Sequence, residues 1–274
     1  MGKFSGVLLA SDFDDTLIAH DGSFPARNAA ALDYFIREGG RFTLATGRGH
    51  APVRRLLERG LPINAPVIET NGTRIYDFQA GRELYAAALD PSILPIVERL
   101  LAEHPDLCAE CFAGDGIYAQ QPNVCTRFHS ERIGLEIPER TLREVPMPWV
   151  KVLLQHPSHE ALLPIQERVL AEGRERFEAV FSVPTFLEVF GVGSSKGIAL
   201  CRLAELLGVR PEDTYAVGDG DNDVAMLSAV ESFCCANGSD GAKAAATHLV
   251  GDCDHGAIAD VIEWLDQKYA GSAR

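Results

Sequence analysis

Short apolar segments alternate with amphipathic helical patterns in the first quarter of the chain and again in its last third. An apolar run of about five residues followed by a helix-length segment with one apolar face is typical of a strand–helix–strand unit. Repetition of this unit predicts a parallel sheet covered by helices on both faces. The predicted strands are 6–10, 41–45, 67–69, 214–217, 232–235 and 248–250, and the predicted helices are 26–38, 52–59, 198–207, 224–229 and 257–266. After the third strand, the Asn71-Gly72 turn predicts a hairpin.

Residues 83–185 interrupt this alternation. Their predicted helices are 93–103 and 158–171, and their predicted strands are 107–112, 116–120, 150–155 and 177–182. The alternation resumes with a strand predicted over 186–190. The sequence therefore predicts a discontinuous α/β core, 1–82 and 186–274, with an α+β insert over 83–185 that has the size of a small domain.

The acidic composition argues against several classes of partner. With 25 Lys and Arg against 39 Asp and Glu, the formal net charge is −14, so the displacement of counterions from nucleic acid or from an anionic membrane is not expected. The apolar run at the amino terminus is shorter than a signal peptide or a membrane-spanning helix requires. We therefore expect a cytoplasmic protein that binds neither nucleic acid nor a membrane. Its oligomeric state is left open by the sequence.

Seven cysteines are an odd and modest number for 274 residues. They are typical of free thiols in a reducing compartment rather than of a disulfide framework. Cys108 and Cys111 form a CxxC pair with Cys125 nearby, which could bind zinc or act in redox chemistry. No second pair completes a zinc-binding pattern, so we favour buried structural thiols.

The first group of candidate catalytic residues is the sequence DFDDT at 12–16, directly after the first predicted strand. Side chains two residues apart along a strand point the same way, so Asp12 and Asp14 can face one site at the carboxyl end of the strand, where open α/β sheets bind their ligands. One carboxylate can act as a nucleophile or a metal ligand while the other transfers protons. A helix cap or a solvated turn is the alternative interpretation.

A second acidic loop, GDGDND at 218–223, lies between an apolar strand and a helix. Its glycines permit a sharp turn, and its clustered carboxylates suit a hard divalent cation. A calcium-binding EF-hand is disfavoured, because the twelfth residue counted from Asp219 is Val230 rather than glutamate and no helix leads into the loop. Magnesium needs only one or two carboxylates together with waters and a substrate phosphate, and it fits the loop better.

The two loops together would place up to six carboxylates around one crevice. These are the side chains of Asp12, Asp14, Asp15, Asp219, Asp221 and Asp223. Two like charges about 4 Å apart cost about 4 kcal/mol at an effective dielectric constant near 20. Such a site requires a metal ion, a bound proton or a basic partner, and Lys196, at the start of a predicted helix, is the best-placed base. A magnesium ion and Lys196 together would offset the charge of a phosphate group.

A third loop, TLATGR at 43–48, ends the second predicted strand. The hydroxyl of Thr46 and the backbone amides around Gly47 could cradle a phosphate group there. By itself the motif favours an ordinary turn, because Thr-Gly is common where strands end. Its position at a strand end of the same predicted sheet favours the phosphate site.

Taken together, these motifs resemble the haloacid dehalogenase superfamily of aspartate-dependent phosphohydrolases, in particular its Cof-type phosphatases with a large type II cap. The matching segments cover the core in the order of that family, and they are DFDDT at 12–16, TLATGR at 43–48, TNGT at 70–73, LEVFGVGSSKGIAL at 187–200 and GDGDND at 218–223. The resemblance implies a Rossmann-like, parallel-sheet α/β core with an inserted α+β cap domain that acts as a lid.

The resemblance also implies roles for individual residues. Asp12 is expected to be the nucleophile that takes the phosphoryl group as an aspartyl phosphate, and Asp14 the general acid and base. Thr46, Gly47 and Lys196 are expected to bind the transferring phosphoryl group. The expected magnesium ligands are Asp12, the main-chain carbonyl of Asp14, Asp219 and, in support, Asp223, and the residues expected near the substrate or its phosphate are Asn71 and Asn222.

The implied reaction is the magnesium-dependent hydrolysis of a small phosphorylated metabolite, with sugar phosphates as the expected class. One residue departs from the Cof-type pattern: Asp15 stands where these proteins usually have glycine, although other branches of the superfamily have aspartate there. In the insert, Arg127, His129 and Lys151 could contact the substrate, but we expect them to be solvated on its surface.

Three other functions are compatible with parts of the sequence. A serine hydrolase is indicated by the GSSKG elbow at 193–197, followed by His248 or His255 as a possible base, although Ser194 and Ser195 are also typical helix caps. A phosphomutase would use the same aspartyl phosphate and return its phosphoryl group to a bound sugar. A protein that only senses phosphorylated metabolites is disfavoured, because all the catalytic positions are filled.

Overall fold

A computed structural model describes residues 2–271 of the chain. Its strands, numbered in chain order, are β1 (Leu8–Ser11), β2 (Arg41–Leu44), β3 (Val67–Glu69), β4 (Arg74–Asp77), β5 (Arg82–Ala86), β6 (Cys108–Ala113), β7 (Gly116–Gln120), β8 (Trp149–Gln155), β9 (Phe177–Val183), β10 (Phe186–Gly191), β11 (Thr214–Gly218), β12 (Glu231–Cys235) and β13 (His248–Val250). Its α-helices are α1 (Ala26–Arg37), α2 (His50–Glu58), α3 (Ile93–Glu103), α4 (Val124–Ile133), α5 (His159–Gly173), α6 (Lys196–Leu207), α7 (Val224–Leu227), α8 (Asp240–Ala245) and α9 (Ala257–Lys268). Over the described residues, no helix combines the length and the apolar character that crossing a membrane requires.

Contacts between residues divide the described chain into two units. The first contains the residues up to Thr46, Leu56–Leu84 and the residues from Ser195 onward. The second contains Gly47–Arg55 and Tyr85–Ser194. Each unit has a sheet of its own.

The first unit is built on a five-stranded parallel sheet in the order β13-β12-β11-β1-β2. Every residue of β1 and of β11 is buried, as expected for central strands that are covered on both faces. In the register of these two strands Ser11 lies beside Val217, so both end at the same edge of the sheet. The arrangement confirms the predicted parallel-sheet α/β core.

The predicted hairpin after the third strand is present in the first unit. β3 pairs with β4 in antiparallel orientation, and Ile68 forms a parallel bridge to Ala45, just beyond the end of β2. In the turn, Asn71 has φ 56° and ψ 33°, a left-handed conformation that asparagine tolerates. A Cβ on Gly72 would lie 2.2 Å from the carbonyl oxygen of Ser195, so the turn packs directly against the start of α6.

The second unit is built on an antiparallel sheet in the order β7-β6-β8-β10-β9. Helices α3 and α5 pack against this sheet and against each other. Their apolar side chains form one buried cluster with the large side chain of Trp149 and with Val152 and Leu154 of β8. This sheet-and-helix arrangement confirms the α+β character of the insert.

The strand predicted over 186–190 lies in a different sheet from the one predicted. β10 pairs with β8 and β9 in the second unit, whereas the prediction assigned residues from 186 onward to the core. An apolar run shows that a strand is present but not which partner it takes, and this run follows β9 so closely that a hairpin forms.

Two helices of the structure, α4 and α8, are not predicted from the sequence. Helix α4 lacks a continuous apolar face, and α8 is only one to two turns long.

Two side chains of the second unit are buried where the sequence predicted a solvated surface. Lys151 Nζ lies 2.8 Å from Glu188 Oε2, and His129 Nδ1 lies 2.6 Å from Glu110 Oε2. An acidic partner compensates for the removal of each basic group from water, and no sequence pattern identified either partner. Arg127 is exposed, as expected.

All seven cysteines are free. Cys108, Cys111 and Cys125 are buried, and burial raises the pKa of the Cys108 and Cys111 thiols to about 12. A buried thiol with a raised pKa is unreactive, which agrees with the predicted structural role.

Candidate active site

Asp12 lies where β1 leaves the sheet. Its backbone N–H donates to the carbonyl oxygen of Val217 in β11 at 2.9 Å, and its own carbonyl oxygen accepts a hydrogen bond from the Ser11 hydroxyl at 2.6 Å. These contacts hold the first acidic loop at the edge shared by the two central strands. The residue is only 7% exposed, so its carboxylate is largely removed from water.

Asp223 directs its carboxylate back toward the end of β11. Its Oδ2 accepts hydrogen bonds from the backbone N–H groups of Asp219 at 3.0 Å and of Gly220 at 2.9 Å, and the residue is fully buried. Gly218 allows this return, because a Cβ at that position would come 2.6 Å from the Asp223 carboxyl group. The second acidic loop therefore closes on itself at the strand end.

Lys196 joins the two acidic loops. Its Nζ donates to Asp12 Oδ1 at 2.8 Å and to Asp223 Oδ1 at 2.6 Å, and its side chain is fully buried. The lysine is the first residue of α6, so its position depends on where that helix begins.

Local sequence fixes the start of α6. Ser195 caps the helix, because its Oγ accepts a hydrogen bond from the backbone N–H of Ile198 at 3.2 Å. A Cβ on Gly197 would come 2.2 Å from the carbonyl oxygen of Ala225, so only glycine allows the first turn to approach α7 this closely. The GSSKG sequence is therefore a helix start that places a buried lysine, and Ser195 confirms the predicted cap.

The acidic groups of the site have displaced pKa values. The pKa of Asp12 is raised to about 7, chiefly by burial; Lys196 opposes this shift, and the charges of Asp223 and Asp14 add to it. Burial, followed by the charges of Asp12 and Asp223, raises the pKa of Asp219 to about 8. For Lys196, burial lowers the pKa, but the two carboxylates that it contacts outweigh burial and leave the pKa raised. One lysine therefore does not neutralise the acids around it.

The geometry of these acids fits a divalent cation. One carboxylate oxygen from each of Asp12, Asp219 and Asp223 lies within 4.8 Å of the others. Like charges about 4 Å apart repel each other by about 4 kcal/mol at an effective dielectric constant near 20, and a cation among them relieves that repulsion. Clustered carboxylate oxygens are the ligands that hard cations such as Mg²⁺ take in proteins, so the donor set agrees with the predicted metal.

Thr46, Asn71 and Asn222 form a connected set beside the acidic loops. The buried Thr46 donates its backbone N–H to Ile68 at 2.9 Å, and its carbonyl oxygen accepts a hydrogen bond from the backbone N–H of Asn71 at 3.0 Å. Asn71 Oδ1 in turn accepts a hydrogen bond from Asn222 Nδ2 at 3.2 Å. Three residues that the sequence predicted near the phosphate are thereby linked to the second acidic loop.

Asp14 and Gly47 are two further residues that the sequence predicted for the site. Asp14 is half-buried, and its charge contributes to raising the pKa of Asp12, so the two carboxyl groups are close enough to interact. Gly47 belongs to the second unit by its contacts, and its carbonyl oxygen accepts a hydrogen bond from Lys151 Nζ at 2.8 Å. The structure thus gives Gly47 a partner that the sequence did not predict.

Thr16 and Asn237 support the site in ways that the sequence did not predict. The Thr16 hydroxyl donates to Asp219 Oδ1 at 2.5 Å and so joins the two acidic loops. Asn237 Nδ2 donates to the carbonyl oxygen of Asp15 at 2.8 Å. The DFDDT motif is a sequence signal for Thr16, and the sequence ANG at 236–238, after the predicted strand 232–235, is one for Asn237.

Asp15 has a backbone φ of 57°. Glycine reaches this left-handed region without a steric cost, and aspartate is one of the few other residues that tolerate it. The backbone at this position is therefore compatible with either glycine or aspartate.

The two histidines of the serine-hydrolase alternative have other partners. His248 Nε2 lies 3.2 Å from Glu231 Oε1, and its ring stacks on Phe233. His255 Nδ1 lies 2.6 Å from Asp252 Oδ1. These contacts, with the capping role of Ser195, favour a structural interpretation of the elbow.

The chain is similar to known proteins in sequence and in structure. The model of the haloacid dehalogenase-like hydrolase family matches residues 9–262. An HMP-PP phosphatase of Serratia proteamaculans is 30% identical over 271 residues, which cover 96% of each chain. A haloacid dehalogenase-like hydrolase from Bacteroides thetaiotaomicron has the same fold, with a TM-score of 0.83 at 23% identity over 94% of this chain and 99% of that one. A subclass IIB sugar phosphatase of the same superfamily gives a TM-score of 0.83 at 20% identity over 94% and 98% of the two chains.

Proposed function

We propose that this chain, which belongs to the family of haloacid dehalogenase-like hydrolases, hydrolyses phosphate monoesters of small metabolites with Asp12 as its nucleophile. Its family and its phosphatase relatives identify it as a phosphatase. The more specific proposal is supported above all by one contact, in which the fully buried Lys196 joins Asp12, at the end of β1, to Asp223, after β11.

Lys196 has two functions in this proposal. It orients the Asp12 carboxylate through the 2.8 Å hydrogen bond to Oδ1, and its charge offsets the charge of a phosphoryl group bound beside it. In phosphoryl transfer, positioning and charge stabilisation supply most of the rate enhancement. A lysine whose pKa is raised by its neighbours stays protonated throughout such a cycle.

The reaction proceeds in two steps. In the first, a carboxylate oxygen of Asp12 attacks phosphorus, the bond from phosphorus to the ester oxygen breaks, and protonated Asp14 gives its proton to the leaving alkoxide. In the second, Asp14 takes a proton from a water molecule as the water oxygen attacks the aspartyl phosphate and the bond from phosphorus to Asp12 breaks. The products are the alcohol and inorganic phosphate.

Asp12, Asp219, Asp223 and the main-chain carbonyl of Asp14 would hold Mg²⁺. When bound, Mg²⁺ offsets the negative charge of the phosphoryl group and of the carboxylates around it. The Thr16 hydroxyl orients Asp219 through its 2.5 Å hydrogen bond, so this threonine would fix the direction of one ligand.

Thr46, Asn71 and Asn222 would bind the phosphoryl oxygens. Their hydrogen bonds to one another fix the relative positions of two strand ends and the second acidic loop.

The substrate is proposed to be a small phosphorylated metabolite, with sugar phosphates as the expected class. The name of the HMP-PP phosphatase supports a phosphatase of small metabolites, and the proposal of sugar phosphates is supported by the structural neighbour that is named a sugar phosphatase. The net charge of −14 agrees with a small substrate rather than a nucleic acid or a membrane. Seven free cysteines fit a reducing compartment, and we propose a cytoplasmic location.

The test uses the purified full-length chain with p-nitrophenyl phosphate and a panel of phosphorylated metabolites that includes sugar phosphates. We expect release of inorganic phosphate that EDTA abolishes and that added Mg²⁺ restores. Asp12→Asn removes the nucleophile and is expected to abolish turnover. Asp33→Asn is the matched control, because Asp33 is an exposed carboxylate in α1 that pairs with Arg37.

Three results would contradict the proposal: no hydrolysis across the panel, phosphate release that survives EDTA, or full activity of Asp12→Asn. Hydrolysis of p-nitrophenyl acetate in EDTA would instead support a serine hydrolase. Transfer of the phosphoryl group to a second sugar hydroxyl, detected by product analysis with a sugar bisphosphate activator, would identify a phosphomutase.

A further inference from the structure

A second cluster of potential metal ligands lies in the first unit, separate from the two acidic loops. His20 Nδ1, Cys253 Sγ and a carboxylate oxygen of Asp254 lie within 4.8 Å of one another. His20 lies four residues after the DFDDT motif, and the other two belong to the single 3-10 turn Cys253–His255 that precedes α9. The reaction proposed above uses none of the three.

We propose that His20, Cys253 and Asp254 form a binding site for a borderline-soft divalent cation, with Zn²⁺ as the ion that suits these ligands best. Imidazole nitrogen, thiolate sulfur and carboxylate oxygen are the three ligand types that Zn²⁺ takes in proteins. Mg²⁺ and Ca²⁺ prefer oxygen ligands alone, so the sulfur and the nitrogen select against them. Three protein ligands leave the fourth position for water.

The distances among the three groups are close to those of a tetrahedral zinc site. Cys253 Sγ lies 3.4 Å from His20 Nδ1 and 3.8 Å from Asp254 Oδ1. His20 Nδ1 lies 3.0 Å from each oxygen of Asp254. Bonds of about 2.3 Å to sulfur and about 2.0–2.2 Å to nitrogen and oxygen require ligand separations of about 3.3–3.6 Å. Each pair is therefore within about 0.4 Å of that requirement, and small side-chain rotations would complete the site.

Neighbouring hydrogen bonds hold the ligands in place. Asp254 Oδ1 accepts a hydrogen bond from the backbone N–H of His20 at 2.9 Å, which fixes the carboxylate beside the imidazole. The backbone N–H of Cys253 donates to Asn237 Oδ1 at 3.0 Å. Supporting contacts of this kind orient the ligands of natural metal sites.

The surroundings admit and attract a cation. Cys253 is fully buried, whereas the side chains of His20 and Asp254 are 53% and 47% exposed, so the sulfur lies behind two solvent-facing ligands and becomes accessible to an ion when these side chains rotate. Asp15, Asp252 and Asp254 place negative charge around His20. The same acids attract a dication. The metal binds Cys253 as a thiolate and His20 as a neutral imidazole, so the proton of the thiol and any proton on the ligating nitrogen of His20 are released to solvent as the bonds to the metal form.

The experiment titrates the full-length chain with Co²⁺, a spectroscopic substitute for Zn²⁺, in a large excess of Mg²⁺ that occupies the carboxylate cluster of the proposed active site. We expect one equivalent of Co²⁺ to give a thiolate-to-cobalt charge-transfer band in the near ultraviolet and intense visible bands, and Zn²⁺ to abolish both. Cys253→Ser should remove the charge-transfer band. Cys201→Ser is the matched control, since Cys201 is an exposed thiol of α6 and its loss should leave the band unchanged.

Two exposed variants test the site without disturbing the core. His20→Ala and Asp254→Asn each remove one ligand and should weaken Co²⁺ binding at least about tenfold, since loss of even an outer-shell partner costs that much. The proposal is overturned if the wild-type chain shows no charge-transfer band at saturating Co²⁺, or if the band persists in Cys253→Ser. If Cys253→Ser does not fold, unchanged affinity in both exposed variants overturns the proposal. The spectroscopic signal does not depend on phosphatase activity, so the two proposals can fail independently.

Discussion

Lys151 and Lys196 are buried lysines with carboxylate partners, one in each unit of the protein. Lys151 Nζ lies 2.8 Å from Glu188 Oε2, donates to the carbonyl oxygen of Gly47 at 2.8 Å and lies over the ring of Phe112. Lys196 contacts both Asp12 and Asp223. The pKa values of Asp12 and Asp219 are raised beside Lys196, so the excess of acid around this lysine calls for a further cation. Burial of a charge therefore does not mark a functional site by itself, but an imbalance among buried charges does.

Glu110, another buried acid of the second unit, differs from the acids of the proposed active site in the same way. Glu110 Oε1 accepts a hydrogen bond from Gln155 Nε2 at 2.9 Å, and its Oε2 lies 2.6 Å from His129 Nδ1. Asp219, in the first unit, has the Thr16 hydroxyl as a partner, yet burial and its acidic neighbours still raise its pKa to about 8. Hydrogen bonds satisfy Glu110, while the charge around Asp219 is left to be offset by an ion.

The largest expected effect is on turnover when the shared lysine is removed. Lys196→Met deletes the cation that orients Asp12 and should lower kcat/KM by about 10²–10³-fold, as loss of one charge-stabilising donor does in other enzymes. Initial rates at saturating Mg²⁺ measure this loss. Lys268→Met is the control, because Lys268 lies on α9 and pairs with Glu231 of β12, and this variant should keep its activity. Near wild-type activity of Lys196→Met would refute the role given to Lys196.

The ion pair of Lys151 and Glu188 should matter for stability instead. Lys151→Met removes a buried cation that lies 2.8 Å from Glu188 and should lower the free energy of unfolding by about 3–5 kcal/mol. The chain has two tryptophans, so Trp149 fluorescence in a Trp264→Phe background follows the second unit alone during denaturation. The double variant Lys151→Met/Glu188→Leu should recover most of the loss. If Mg²⁺ restored the free energy of unfolding of Lys151→Met, the carboxylate near Lys151 would bind a metal as well, and the two lysines would not differ in the way described.

Metal binding should stabilise the unbalanced site. Because the proposed Mg²⁺ site exists only in the folded carboxylate cluster, Mg²⁺ at one hundred times its Kd should raise the free energy of unfolding by about 2.7 kcal/mol. Calorimetry with and without Mg²⁺ measures this as a rise in Tm. Asp219→Asn should abolish the rise, and the exposed-surface variant Asp33→Asn should keep it. An equal rise in Asp219→Asn would place the bound ion elsewhere.

The smallest expected effect concerns Asp15. Asp15→Gly relieves the cost of φ 57° and removes one acid near the site, but glycine loses more backbone entropy on folding, so the net stabilisation should be about 0.5 kcal/mol. Urea unfolding of this variant and of Asp15→Asn separates the two causes, because asparagine removes the charge and tolerates the same backbone. Equal stabilisation by both variants would show that charge, not backbone strain, dominates.

The strand ends of the core could be predicted from the sequence because their pattern follows general rules. Alternating apolar runs and amphipathic helices specify a parallel sheet, and polar residues directly after its strands lie at one edge. That reasoning, with the family resemblance, brings Asp12, Lys196 and Asp223 together before any coordinates are known, and the structure places them in hydrogen-bond contact.

Contacts between distant segments could not be predicted in the same way. The partner of Lys151 is Glu188, 37 residues away on another strand, and no motif joins them. The sheet to which β10 belongs depends on which strand lies beside it, and an apolar run does not contain that information. The His20–Cys253 contact spans 233 residues and becomes visible only when the two segments meet in the fold.

The distance along the chain between Asp12 and Lys196, 184 residues, has a consequence for synthesis of the protein. The ribosome must translate all of the second unit before Lys196 emerges, and β11, the neighbour of β1, follows later still. Until then β1 has only β2 beside it, and the other edge of a wholly buried strand stays open. Nascent chains that stop before Thr214 therefore present that open strand edge to aggregation.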